Sequence, residues 1–163
     1  IFPEVIENNL SIQLRDFVDY KEPLFNVLTS LEKRLAANWK PKNMFQLKSF
    51  LSQIMLIPCL FYSALNNKGI FKRESFEAVK PFFSAEEWSP IELASKARLN
   101  WKYDLNCIQK TLMVRPERIF RKLTKKILSP GIDDKKFDYV TNDIFMKQLR
   151  LFINKIQNHQ DLK

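Results

Sequence analysis

Two glycines in 163 residues constrain this chain more than any other feature. Glycine takes positive φ without steric cost, and tight β-hairpins depend on it. The usual share is about 7%, so a strand-rich fold would lack turn residues here. A mostly helical fold follows. Fourteen phenylalanines and three tryptophans supply much of a core for one domain of this length.

The same scarcity bears on chemistry. Gly-rich phosphate loops need backbone that only glycine allows. Ser-His-Asp and Cys-His sites need a histidine in the folded body, and the one candidate, His159, stands near the C-terminus. Cys59 lies in an apolar run and Cys107 in an amphipathic one. Without C-x-x-C or H-x-x-x-H spacing they predict no zinc site. They read as two buried small hydrophobes in a reducing, cytoplasmic setting. No cofactor motif is visible. No signal-peptide pattern opens the chain. The apolar run Phe50 to Leu65 is interrupted by Ser52, Gln53, Pro58 and Ser63, too short and polar for a span of about 20 residues. The first residue is Ile1 rather than methionine, as in a chain processed or cut from a longer protein.

Residues 1–18 are mixed and comparatively acidic, and read as an extended or mixed segment before a bundle over 19–163. From Pro23 the helical period sets in, with Leu24, Val27, Leu28, Leu31 and Leu35 on one stripe up to Pro41. A second helix is predicted from Asn43 to Asn66, with Met44, Leu47, Leu51 and Ile54 inward, a kink at Pro58 and a left-handed stop at Gly69. A short helix over Glu74 to Phe83 buries Phe76, Val79 and one of Phe82 or Phe83. Ser89-Pro90-Ile91-Glu92 reads as a capping box. It opens a helix through Ile91, Ala94, Arg98, Trp101, Leu105, Ile108 and Leu112. Pro116 opens another, with Ile119, Phe120, Leu123 and Ile127 inward. Ile132 to Tyr139 reads as a polar loop in which Asp133 and Asp134 are turn residues. Thr141 caps a last helix carrying Phe145, Leu149, Phe152 and Ile156. The expectation is an all-α, up-and-down bundle of about five long helices plus one short one.

Lys and Arg number 27 against 18 Asp and Glu, a net charge of +9. That balance favours an anionic partner: nucleotide, nucleic acid or acidic protein. Two constellations could carry it. Arg115, Arg118, Lys122 and Lys125 share one face of the helix opened by Pro116, as a stripe following phosphates would; the alternative is a solvated face opposite a core stripe. Arg98 sits on an apolar stripe near Trp101, Lys102, Tyr103 and Asp104. A guanidinium there must be paired or reach water at its tip. It either ion-pairs, with Glu92 or the N-terminal segment, or is presented to a ligand.

The stretch Phe50 to Trp101 runs through Tyr62-Ser63-Ala64-Leu65-Asn66, then Lys68-Gly69-Ile70-Phe71-Lys72-Arg73, Glu87-Trp88, and Ala94-Ser95-Lys96-Ala97-Arg98-Leu99-Asn100-Trp101. This order resembles the helical C-terminal half of nucleotidyltransferase-like proteins of the polymerase β superfamily. The resemblance implies an accessory bundle packed beside a nucleotide site, helping to bind substrate, with Arg98 and Trp101 as the matching positions. The superfamily's catalytic Gly-Ser and Asp-x-Asp or Asp-x-Glu elements are missing from this chain. No catalytic or metal-binding residue therefore carries over, and an upstream catalytic domain is implied. The leading expectation is a non-catalytic accessory domain contributing substrate or partner contacts through Arg98, Trp101, Arg115, Arg118, Lys122 and Lys125. The alternative is a freestanding basic helical module binding nucleic acid or an acidic protein.

Overall fold

A computed structural model describes residues 20–102, 105–114, 118–120, 122 and 129–162. The chain is an all-α helical bundle, and no strand occurs among the described residues. Its helices are α1 (Lys21–Ala36), α2 (Met44–Ile54), α3 (Ile57–Asn66), α4 (Lys72–Val79), α5 (Ala85–Leu99), α6 (Cys107–Val114), α7 (Asp134–Phe137) and α8 (Asp143–Gln157). Short 3₁₀ turns follow α4, α7 and α8.

The first helix forms as its period dictates. Leu24, Leu28, Leu31 and Leu35 are fully or nearly fully buried, and Val27 is half-buried. Asn38 ends it in the left-handed region at φ 47°, a conformation asparagine tolerates better than most residues. On α2, Asn43 accepts a hydrogen bond from the Gln46 N–H at 3.0 Å, while Met44, Leu47, Phe50, Leu51 and Ile54 turn inward.

Pro58 does not kink a long helix. The chain leaves the helix at Met55 and Leu56 and starts α3 at Ile57, with Pro58 in the first turn. Proline has no N–H to give to a carbonyl one turn back, and the first turn is where none is needed. The stop after α3 falls on Asn67, at φ 48°, and Gly69 does not take positive φ. The stretch Met44–Asn66 is apolar and long enough, by length and composition, to cross a membrane. Half of its apolar window is buried in the bundle, as in the core helices of a folded domain.

Three further starts differ from the sequence expectation. Ser84, not Ser89, caps α5: its hydroxyl accepts from the Glu87 N–H at 3.3 Å, and its own N–H donates to the Glu87 carboxylate at 2.7 Å. Ser89 lies inside the helix and donates to Gln148 Oε1 at 3.2 Å. The earlier start puts Trp88 in the helix, where it is buried against Phe83 and Phe152. The same helix stops at Leu99 instead of running to Leu112, and α6 begins afresh. Asn106 and Gln109 exchange bonds of 2.8 and 2.9 Å there, each side chain accepting the other's backbone N–H. At α8 the cap is Asn142, one residue beyond Thr141, accepting from the Phe145 N–H at 2.9 Å.

The segment expected as a polar loop is part of the core. Asp133 caps α7, accepting from the Lys136 N–H at 3.3 Å, and Phe137 and Val140 are buried. The polar residues around them face out, so composition hid two anchors. Of the pair after α4, Phe83 is the one drawn in, at 4.8 Å from Phe152. The broadest pairings join α5 to α8, α1 to α3 and α3 to α4, with α2 on α5 and α1 on α8. Residues 1–18, Pro116, Leu123 and Ile127 lie outside the described residues.

Ser84→Ala is expected to cost about 1 kcal/mol, read as a lower denaturation midpoint at unchanged slope. The Ser84 N–H is the main cause that holds the Glu87 carboxyl below its ordinary range. A depressed folded value stabilises above the unfolded glutamate pKa of about 4.3 and is lost as pH falls through the folded value. Glu87→Gln should therefore flatten the acid limb of the stability curve; an unchanged limb would refute the reciprocal cap.

Candidate anion-binding site

Arg98 lies near the end of α5, half-buried, facing α2. Its guanidinium donates to the Ser52 hydroxyl. The expected ion pair with Glu92 is not formed, because Glu92 is engaged by Lys80 at 2.8 Å. A partner in residues 1–18 or at Asp104 would lie outside the described residues.

A second cation joins Arg98 from α4. Lys72 is held below the ordinary lysine range, chiefly by burial and further by the guanidinium of Arg98. The Cys59 thiol of α3 is also within electrostatic reach. Cys59 donates to the Ile70 carbonyl at 3.3 Å, which ties α3 to the strap leading into Lys72. Burial pushes this thiol up and Lys72 pulls it down. The N-cap position of α4, Phe71, offers no side-chain acceptor to the free N–H groups of that helix start. Arg98 and Ser52 meet where α5 packs on α2, and Lys72 is within electrostatic reach of Arg98 and of the Cys59 thiol. Among the described residues no carboxylate pairs with either cation. Lys72 is exposed and Arg98 half-buried, and like charges within reach of one another raise each other's cost.

The other expected residues go elsewhere. Trp101 follows Arg98 by one turn, and its indole packs on Phe137 with ring centroids 5.3 Å apart. It forms part of the wall of the core. Arg118 and Lys122 are exposed, one turn apart on helical backbone, while Arg115 and Lys125 lie outside the described residues. Ile119, expected inward, is 76% exposed. Ile108 and Val114 are likewise outward on α6. Among the described residues of this stretch, Val114 and Ile119 are exposed near Arg118 and Lys122 in sequence. Cys107 is exposed, not buried, and both cysteines are free thiols.

The His159 ring packs against Phe61 at 5.3 Å and Phe82 at 5.9 Å. No group of three or more His, Cys, Asp or Glu side chains could hold a metal among the described residues. Lys72 and Ser52 had no sequence signal linking them to Arg98; the packing of α2 on α5 brings Ser52 to it, and the start of α4 puts Lys72 within electrostatic reach. Comparison with protein families, with curated proteins and with solved structures finds no match for this chain.

The Lys72 ammonium should titrate below the ordinary lysine value of about 10.4 when followed by NMR at its ε-carbon. Arg98→Met should raise that midpoint only part of the way, because burial, the larger cause, remains. An unmoved midpoint would show that the two cations are not coupled.

Proposed function

We propose that this chain is a non-catalytic helical accessory domain of a nucleotidyltransferase-like protein, and that it binds phosphates of the nucleic-acid substrate at Arg98 and Lys72. The observation that supports this reading is the pair of cations, anchored by Ser52 and lacking a carboxylate partner among the described residues. Guanidinium binds phosphate through paired N–H donors, and ammonium adds a point charge. A fixed Arg loses less freedom on binding than a waving surface lysine. The upstream catalytic domain implied by the resemblance would supply the metals and the transfer. In this reading the protein works in the cytoplasm, where Cys59 and Cys107 stay reduced.

A second reading has its own observation. Leu99 and Val114 are both 84% exposed, and Arg118 and Lys122 are exposed beyond them in sequence. Aliphatic groups do not stack bases, whereas they do pack on proteins. Exposed aliphatic and cationic groups of this kind suit an acidic protein partner, including the catalytic domain itself.

Binding of a labelled single-stranded RNA separates the two. Under the first reading, changing Arg98 and Lys72 together to methionine weakens binding at least tenfold, about 1.4 kcal/mol. The loss should be similar for all sequences, because phosphates carry no base information. The salt slope should become shallower by about 0.7 for each phosphate that is no longer neutralised. Reversing Arg118 and Lys122 to glutamate should do less. If that reversal removes as much affinity as the Arg98 and Lys72 change, the phosphate site is elsewhere and the first reading fails.

A further inference from the structure

A cleft of about 390 Å³ opens between the C-terminal end of α1 and the first half of α8. Its walls include Trp39, Lys40, Met146, Lys147 and Arg150. Three cations face one carboxylate there, since Asp143 is the acid in the lining. Asp143 meets Lys40 at 3.4 Å, but both side chains are largely exposed, and such a pair holds weakly. Lys40 and Asp143 also line an adjoining cleft with Asp134 and Asp138, so the positive excess belongs to Lys147 and Arg150, which form no ion pair among the described residues.

Arg150 is fixed in place. Its Nη2 donates to the Leu35 carbonyl at 2.7 Å, at the negative end of the α1 dipole. That bond occupies one of five guanidinium N–H groups, and the rest of the fork is held at the cleft. Lys147 stands one turn earlier on the same face of α8. Trp39 is equally constrained: Arg34 lies over its ring at 4.9 Å and Phe50 packs against it at 5.4 Å. Lys147 and Arg150 stand on the α8 wall beside the Met146 thioether, and the Trp39 indole and Lys40 come from the chain just after α1. Such a mixture suits a ligand with a charged part and an apolar part. The volume falls at the small end of small-molecule sites, too small for a nucleic-acid strand to run through.

We propose that this cleft binds a nucleotide-sized organic phosphate, with Lys147 and Arg150 on the phosphate and Trp39 and Met146 on the apolar part. The proposal uses none of Arg98, Lys72 or Ser52 and stands or falls without them. Phe50 points toward the Trp39 side of α2, whereas Ser52, two residues on, is turned by about 200° around the helix.

The test uses the whole chain with 5-fluorotryptophan at its three tryptophans, the Trp39 fluorine resonance being assigned by Trp39→Phe. Adenosine monophosphate is titrated in, and adenosine and inorganic phosphate are run separately. A saturable shift of the Trp39 resonance is expected with the monophosphate, with adenosine and inorganic phosphate each binding at least tenfold more weakly. Lys147→Gln should weaken the monophosphate at least tenfold and leave the other two fluorine resonances in place. Arg150→Lys should weaken it too, but Arg150 also holds the end of α1, so Lys147→Gln is the decisive variant. Arg98→Met should change nothing here. The proposal is overturned if the Trp39 resonance does not move up to millimolar monophosphate. It is equally overturned if Lys147→Gln binds as the parent does, if inorganic phosphate binds as tightly as the monophosphate, or if Arg98→Met abolishes the shift while Lys147→Gln spares it.

Discussion

The aromatic cluster around Phe152 holds this bundle together. Phe83, from the turn between α4 and α5, lies 4.8 Å from Phe152 of α8, and Trp88 of α5 closes the group at 5.8 and 6.2 Å. Phe61 of α3 joins through Phe83 at 5.7 Å. Three helices and a turn distant in sequence therefore share one cluster. Aromatic pairs add about 0.5–1.5 kcal/mol beyond the area they bury, and large side chains leave large cavities when removed. The cluster also explains why α5 begins at Ser84: starting later would leave Trp88 outside the helix that places it.

With so little glycine, the chain ends its helices by side chains. Asn38 and Asn67 take the left-handed positions. Asn43, Ser84, Asp133 and Asn142 each accept a backbone N–H at a helix start. These short polar groups satisfy the free ends that a helix always carries. The outcome is a fold built of abrupt helices, with α2 packed on α5 at Arg98 and α3 packed on α4.

Charge is distributed unevenly over that frame. No carboxylate pairs with Arg98 or Lys72 among the described residues, and Asp143 meets Lys40 with both side chains largely exposed. Arg98 instead rests on a hydroxyl and Arg150 on a backbone carbonyl. Neutral acceptors position a guanidinium without cancelling its charge. Both arginines consequently keep their attraction for anions while losing little freedom on binding.

The helical class was legible from the glycine count, and α1 and α8 from their apolar stripes. Leu24, Leu28, Leu31 and Leu35 are buried, and so are Phe145, Leu149, Phe152 and Ile156. Those readings succeed because a 3.6-residue period is a local property. The Asn106–Gln109 exchange was also open to reading, as an Asn-x-x-Gln start signal. Between Ser84-x-x-Glu87 and Ser89-x-x-Glu92, however, local chemistry has two equal candidates, and burial of Trp88 decides. Pro58 permits either a kink or a new first turn, and packing of α3 on α1 and α4 goes with the latter. Phe137 and Val140 entered the core from a polar stretch for the same reason: neighbours, not composition, set their burial. Arg98 stood out by itself on an apolar stripe, but its contact with Ser52, like the sharing of one cleft by Trp39 and Arg150, arises only where segments far apart in sequence pack together.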